Sequence, residues 1–165
     1  MAKYLNAIMT NAGYELLFKS IKSESKIVFT HMAAGSGINF ERTIGKTISS
    51  CRKLTALCDE QQRAELSVID DSGNQIYLEA KLSSKDIAND TIQAEGYDIT
   101  EIGIFAKDGS DSSAEEVLYA VIIPDFEYDN KVKDYISKSD YMPPYTEGNS
   151  DYEYTIGVTL MINDA

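Results

Sequence analysis

Several groups of residues have types and spacings that suggest chemistry. Gly45-Lys46-Thr47 has the ending of a phosphate-binding loop, in which backbone N–H groups wrap a phosphate and the lysine reaches its oxygens. That pattern needs a glycine five residues before Gly45, where Phe40 stands, and Gly35 and Gly37 are wrongly spaced to replace it. A basic turn before a helix is the expectation, with no nucleotide. His31 is the sole histidine, so a zinc site would draw on Cys51, Cys58 and a carboxylate, without a Cys-x-x-Cys pair to anchor it. A Cys-His dyad from the same residues has no supporting local context. Asp125, Glu127 and Asp129 open like a calcium loop, but Asn130 takes the place of the turn glycine and Ile136 that of the bidentate glutamate. With 27 acidic residues, a carboxylate pair for glycoside hydrolysis could be chosen in many ways, and nothing singles one out. The sequence therefore points to a protein that is not an enzyme, with no cofactor and no metal.

The elements that position these residues are organised around 97–107, YDITEIGIFAK. Thr100, Ile102, Ile104 and Ala106 alternate with Ile99, Glu101, Gly103 and Phe105, the period of a central strand. A glycine within a strand marks a bulge or a close approach of another chain segment, which makes Gly103 a structural candidate. Glu101 is open to two readings, a solvated strand residue or a carboxylate fixed where chain segments cross.

Upstream, Thr10 is placed to cap a helix whose stripe is Gly13, Leu16, Leu17, Ser20 and Ile21. Residues 26–34 alternate as a strand and run into Gly35-Ser36-Gly37, expected to be a flexible loop. In 38–62, Leu54, Leu57 and Cys58 have helical spacing after a loop. Leu66 and Val68 alternate with Glu65 and Ser67, Asp70 to Asn74 supply a turn, and Ile76, Leu78, Ala80 and Leu82 alternate again, which predicts a β-hairpin. Ser83 and Asp86 suggest one helical turn in 83–94. The acidic run 108–116 is placed on the surface, because so many carboxylates are not buried unpaired. Residues 118–123 read as a strand covered on both faces, and 152–162 as a closing strand with Tyr154, Ile156, Val158, Leu160 and Ile162 on one face. The fold class is mainly β, antiparallel and sandwich-like, with an N-terminal α-helix, and α+β by count.

At 165 residues, one domain with a hydrophobic core is the default. A net charge of −12 argues against a binder of nucleic acid or of anionic membranes, both of which need clustered lysine and arginine. Two cysteines imply no disulfide framework. The first ten residues, MAKYLNAIMT, are too weakly apolar for a signal-peptide core, and no apolar run is long enough to span a bilayer. A protein made in the cytoplasm, without membrane insertion, is expected.

Taken in order, Thr10-Asn11-Ala12-Gly13, Ile27 to Thr30, Gly35-Ser36-Gly37, EIGIFAKD at 101–108, Leu118-Tyr119-Ala120, Met142-Pro143-Pro144 and the closing strand resemble the N-terminal domain of phage tail fibre proteins, the tail-collar fibre family. The resemblance implies a structural protein of a virion or phage-tail-like particle, at the baseplate or tail tip, that attaches fibres. Family members continue into a shaft and receptor-binding tip. This sequence ends at Ala165, so a separate fibre chain is the expected partner, with a monomer or weak homotrimer in dilute solution and a multimer in the assembly. The docking surfaces expected are Tyr4, Leu5 and Ile8 at the N-terminus, and the tyrosine-rich stretch with Tyr128, Tyr135, Tyr141 and Tyr145. The alternatives are a module that binds cell-surface glycan through stacked tyrosines, and a polysaccharide hydrolase.

Overall fold

The structure is a computed structural model that describes residues 6–22, 26–37, 44–73, 75–86, 91–92, 95–137, 139–145 and 153–161. The elements run β1 (Ile8–Met9), α1 (Asn11–Ile21), β2 (Ile27–Gly35), α2 (Ile44–Arg52), β3 (Glu60–Ser72), β4 (Gln75–Ser83), β5 (Lys85–Asp86) and β6 (Thr91–Ile92). They continue with β7 (Tyr97–Ile99), β8 (Glu101–Asp108), β9 (Val117–Ile122), β10 (Phe126–Asp129), β11 (Asp134–Ser137), β12 (Asp140–Met142) and β13 (Glu153–Met161). Seven strands form one sheet in the order β1-β9-β8-β2-β3-β4-β13, and every neighbouring pair is antiparallel. Among the described residues, three two-stranded ribbons, β10–β11, β12–β7 and β5–β6, accompany the sheet in the mainly β fold with its N-terminal helix.

Two faces of this sheet are apolar because the interior strands are apolar on both sides. Met32, Ala34, Ile102, Ile104 and Ala120 share a core with Leu78, Ala80, Leu82 and Ile156, so the two halves of the sheet curl toward one another. Leu16 of α1 and Tyr97, Ile99 and Met142 of the β7–β12 ribbon join that core. Ala33, Phe105, Val121 and Ile123 form a second core with Cys51 of α2 and with Leu57.

Helix α1 is set by its cap. The Thr10 hydroxyl accepts from Gly13 N at 3.0 Å and donates to Leu118 O, while Thr10 N donates to Tyr119 O at 3.0 Å. A Cβ on Gly13 would lie 2.1 Å from Tyr119 O, so only glycine lets the helix sit this close to β9.

The β3–β4 hairpin forms around Gly73, whose φ of 69° suits the left-handed position of a tight turn. Its strands are longer than the alternation indicates, and a bulge at Ser67 changes the phase. Val68 therefore faces Glu79 on the outer side, away from Leu66, and Ile69 takes the inner side opposite Leu78.

Other expectations are corrected. Residues 44–52 form the second helix, and Leu54, Leu57 and Cys58 follow it in turns. Thr47 and Cys51, four residues apart and both wholly buried, define the inner face of α2, so Gly45-Lys46-Thr47 lies within the helix. The helical turn expected in 83–94 is replaced by the β5–β6 ribbon, with Asp86 opposite Thr91. Gly35-Ser36-Gly37 is a tightly held crossing: a Cβ on Gly35 would fall 2.5 Å from Glu101 Oε2, and one on Gly37 would fall 2.6 Å from Asp59 N. The β8–β9 bulge lies between Ile104 and Phe105, and Gly103 itself is in register with Ala33 and Val121.

Candidate functional site

Glu101 begins β8 and is wholly buried. Its Oε2 accepts from Gly37 N at 3.0 Å and from Asp59 N at 2.8 Å, and its Oε1 accepts from Cys58 N at 2.8 Å. A carboxylate is acceptor-only, so three backbone donors match it and no cation is needed. Ser36 N to Asp59 O and Thr100 N to Gly35 O, each at 3.0 Å, close the crossing around it. Of the two sequence readings, the geometry is that of the fixed carboxylate. The Cys51 thiol, removed from water and near Cys58 and Glu101, is pushed up to about 11, and Cys58 is raised by burial and by Glu101. Neither cysteine is poised as a nucleophile.

A second polar cluster lies on the same face of the sheet, further along β2, where His31 and Arg63 flank Phe105. The β2–β8 bulge between Phe29 and His31 turns Thr30 and His31 toward the same acceptor, Glu116 Oε2. Arg63 donates to Glu116 and, at 2.7 Å and 3.1 Å, to Glu60, with its guanidinium 3.8 Å from the centre of the Phe105 ring. Burial opposes ionisation of Glu116, but the hydrogen bonds from Thr30 and His31 and the charges of His31 and Arg63 outweigh it and lower its pKa. Glu116 is thus half-buried, as are Asp108 and Ala114; residues 109–113 and Glu115 are exposed as expected. His31 serves this strut, and no group of three or more metal-ligating side chains occurs among the described residues. Asp129 caps its own hairpin, accepting from Lys131 N at 2.7 Å, which accounts for it without calcium.

At the opposite end of the strands from Glu101 the curl is not filled. A groove of about 770 Å³ runs between α1 and the sheet, lined mainly by Leu17, Ile21, Ile27, Phe29, Ile69, Ile76 and Leu160. Beside it, Tyr14, Phe18 and Ile21 stand 39%, 58% and 68% exposed along α1. Tyr14 stacks on Phe18 with ring centroids 6.5 Å apart. This apolar stripe is legible in the spacing 14, 18, 21, which the inward stripe of Gly13, Leu16 and Leu17 conceals because Ile21 flanks both.

The expected interface residues separate. Tyr4 and Leu5 lie outside the described residues. Ile8 is corrected: it is 7% exposed, pairs with Val121 and belongs to the second core, because β1 completes the sheet edge there. Tyr128 and Tyr141 are about half exposed, at 51% and 52%, and Tyr145 is half-buried. Tyr135 stands opposite Tyr128 in the β10–β11 ribbon, whereas Tyr141 is on the β12–β7 ribbon, so the tyrosines do not share one strand pair. No helix among the described residues is long and apolar enough to cross a membrane. Comparison of the chain with family models, with curated proteins and with solved structures finds no match.

Proposed function

We propose that the chain is a non-catalytic attachment module of a phage tail or phage-tail-like particle, seated at the baseplate or tail tip and holding a separate fibre chain. The observation that carries this reading is the exposed Tyr14, Phe18 and Ile21 stripe beside the apolar groove. An aromatic and aliphatic surface of this kind is what recognition of another protein uses, and its cost in exposed apolar area is recovered when a partner covers it. The carboxylates held by the fold support binding over catalysis: buried Glu101 is taken up by backbone donors, and half-buried Glu116 by Thr30, His31 and Arg63. The placement in a tail rests on the sequence resemblance.

The test is to purify particles from a producing host and compare incorporation of the wild type with that of Phe18→Ser/Ile21→Ser. The double variant alters only exposed positions and is expected to fold, yet to be lost from the particle. Particles that lack the wild-type chain, or that incorporate the variant normally, would overturn the reading. Retention of the isolated chain on purified cell-wall sugars would favour glycan binding instead.

A further inference from the structure

Strand β13 is an edge of the large sheet: among the described residues it pairs only with β4, over nine consecutive residues without a bulge. The other edge, β1, has two residues. Long edges are normally protected by lysine, proline, a bulge or a cover, since their free N–H and C=O groups template further pairing. β13 reads EYTIGVTLM, and its single charge, Glu153, is its first residue. The strand is also symmetric in kind about Gly157. Ile156 and Val158 are β-branched, Thr155 and Thr159 are identical and exposed, and Tyr154 and Leu160 are large and half-buried on the core face.

We propose that β13 pairs antiparallel with β13 of a second copy of this chain, about a two-fold axis at Gly157. In that register Ile156 faces the second copy's Val158 and Tyr154 faces its Leu160, all on the core face. Thr155 faces Thr159 on the outer face, and Gly157 faces itself. Aromatic, β-branched and Thr–Thr pairs are the favourable cross-strand neighbours. No like charges are opposed, although each copy carries −12, because Glu153 lies at the ends of the seam opposite Met161. Leu160 also borders the groove, so Tyr154 of each copy adds to the groove wall of the other. The contact is isologous and closes at two chains. It does not depend on the tail assignment.

The test is sedimentation of the full chain over a range of concentrations, with two variants. Thr155→Lys/Thr159→Lys opposes lysines across both outer pairs and is expected to weaken the dimer at least tenfold, even though it lowers the net negative charge and with it the general repulsion. Thr155→Lys/Thr159→Glu opposes unlike charges in the same register and is expected to restore the dimer. A wild type that stays monomeric, a trimer, or a dimer indifferent to both variants would overturn the proposal. Hydrogen exchange on the wild type supplies a readout free of mutation: β13 amides gain protection as concentration rises. Protection confined to other strands would equally overturn the proposal.

Discussion

Glu101 carries an acceptor-only group into the interior at the point where the loops around Gly37 and Asp59 meet β8. Glu101→Gln keeps the volume but turns an NH2 donor toward backbone donors. The expected loss is about 2–4 kcal/mol, since bonds to a charged acceptor are the stronger kind and a buried donor is left unpaired. Chemical denaturation measures it, and a variant as stable as the wild type would show that the crossing holds without the charge. The two thiols provide a second residue-scale prediction. Cys58 is exposed and Cys51 wholly buried, and both are raised above the ordinary 9.0. Ellman's reagent at pH 8 is expected to label Cys58 slowly, and Cys51 only as fast as the chain unfolds. Prompt labelling of both would contradict the packing of α2.

At the scale of elements, β8 leaves room for little more than a methyl group at Gly103. A Cβ there would meet Leu118 Cδ1 at 3.0 Å, and Leu57 Cδ2 and Phe105 Cε2 at 3.1 Å. These are ends of side chains, so Gly103→Ala is expected to be tolerated with small shifts, while Gly103→Val costs about 1–3 kcal/mol by overpacking. Melting temperatures that do not separate the two substitutions would show that this seam is loose. Strand β8 is legible in the sequence because its period is unbroken over the buried residues, and the hairpin because turn chemistry and alternation agree. Val68 is misread because the bulge at Ser67 shifts the phase by one residue, which no local composition marks. Helix α2 is missed because its inner face includes Thr47 and Cys51, which a hydrophobic period counts poorly. The crossing at Glu101 is partly legible as a carboxylate beside a mid-strand glycine. Its donors come from segments 64 and 42 positions away, so only the fold brings them together.

The molecule as a whole titrates from both ends. Glu116 has a lowered pKa, so its hydrogen bonds and charge pairs stabilise the fold fully above its ordinary 4.5, and that contribution disappears as pH falls through the lower folded value. Cys51 and Tyr97 act in the opposite sense. Burial pushes the Cys51 thiol from 9.0 up to about 11 and the Tyr97 hydroxyl from 10.0 up to about 12. The unfolded chain therefore loses these protons first. The contribution of these two groups is undiminished below pH 9, falls as the unfolded thiol ionises, falls further once the unfolded phenol ionises above pH 10, and is lost above about 12. Tyr97 isolates the phenol's share, because its buried hydroxyl has no hydrogen-bond partner among the described residues. Tyr97→Phe removes a proton-releasing group without breaking a bond, so at pH 8 it is expected to be at least as stable as the wild type. Above pH 10 its melting temperature should fall less steeply. Glu116→Gln should melt below the wild type at pH 7 and converge with it as the solution is acidified. Thermal melts of the three proteins between pH 2 and 12 measure both limbs, and parallel curves would show that neither group is held in the environment described.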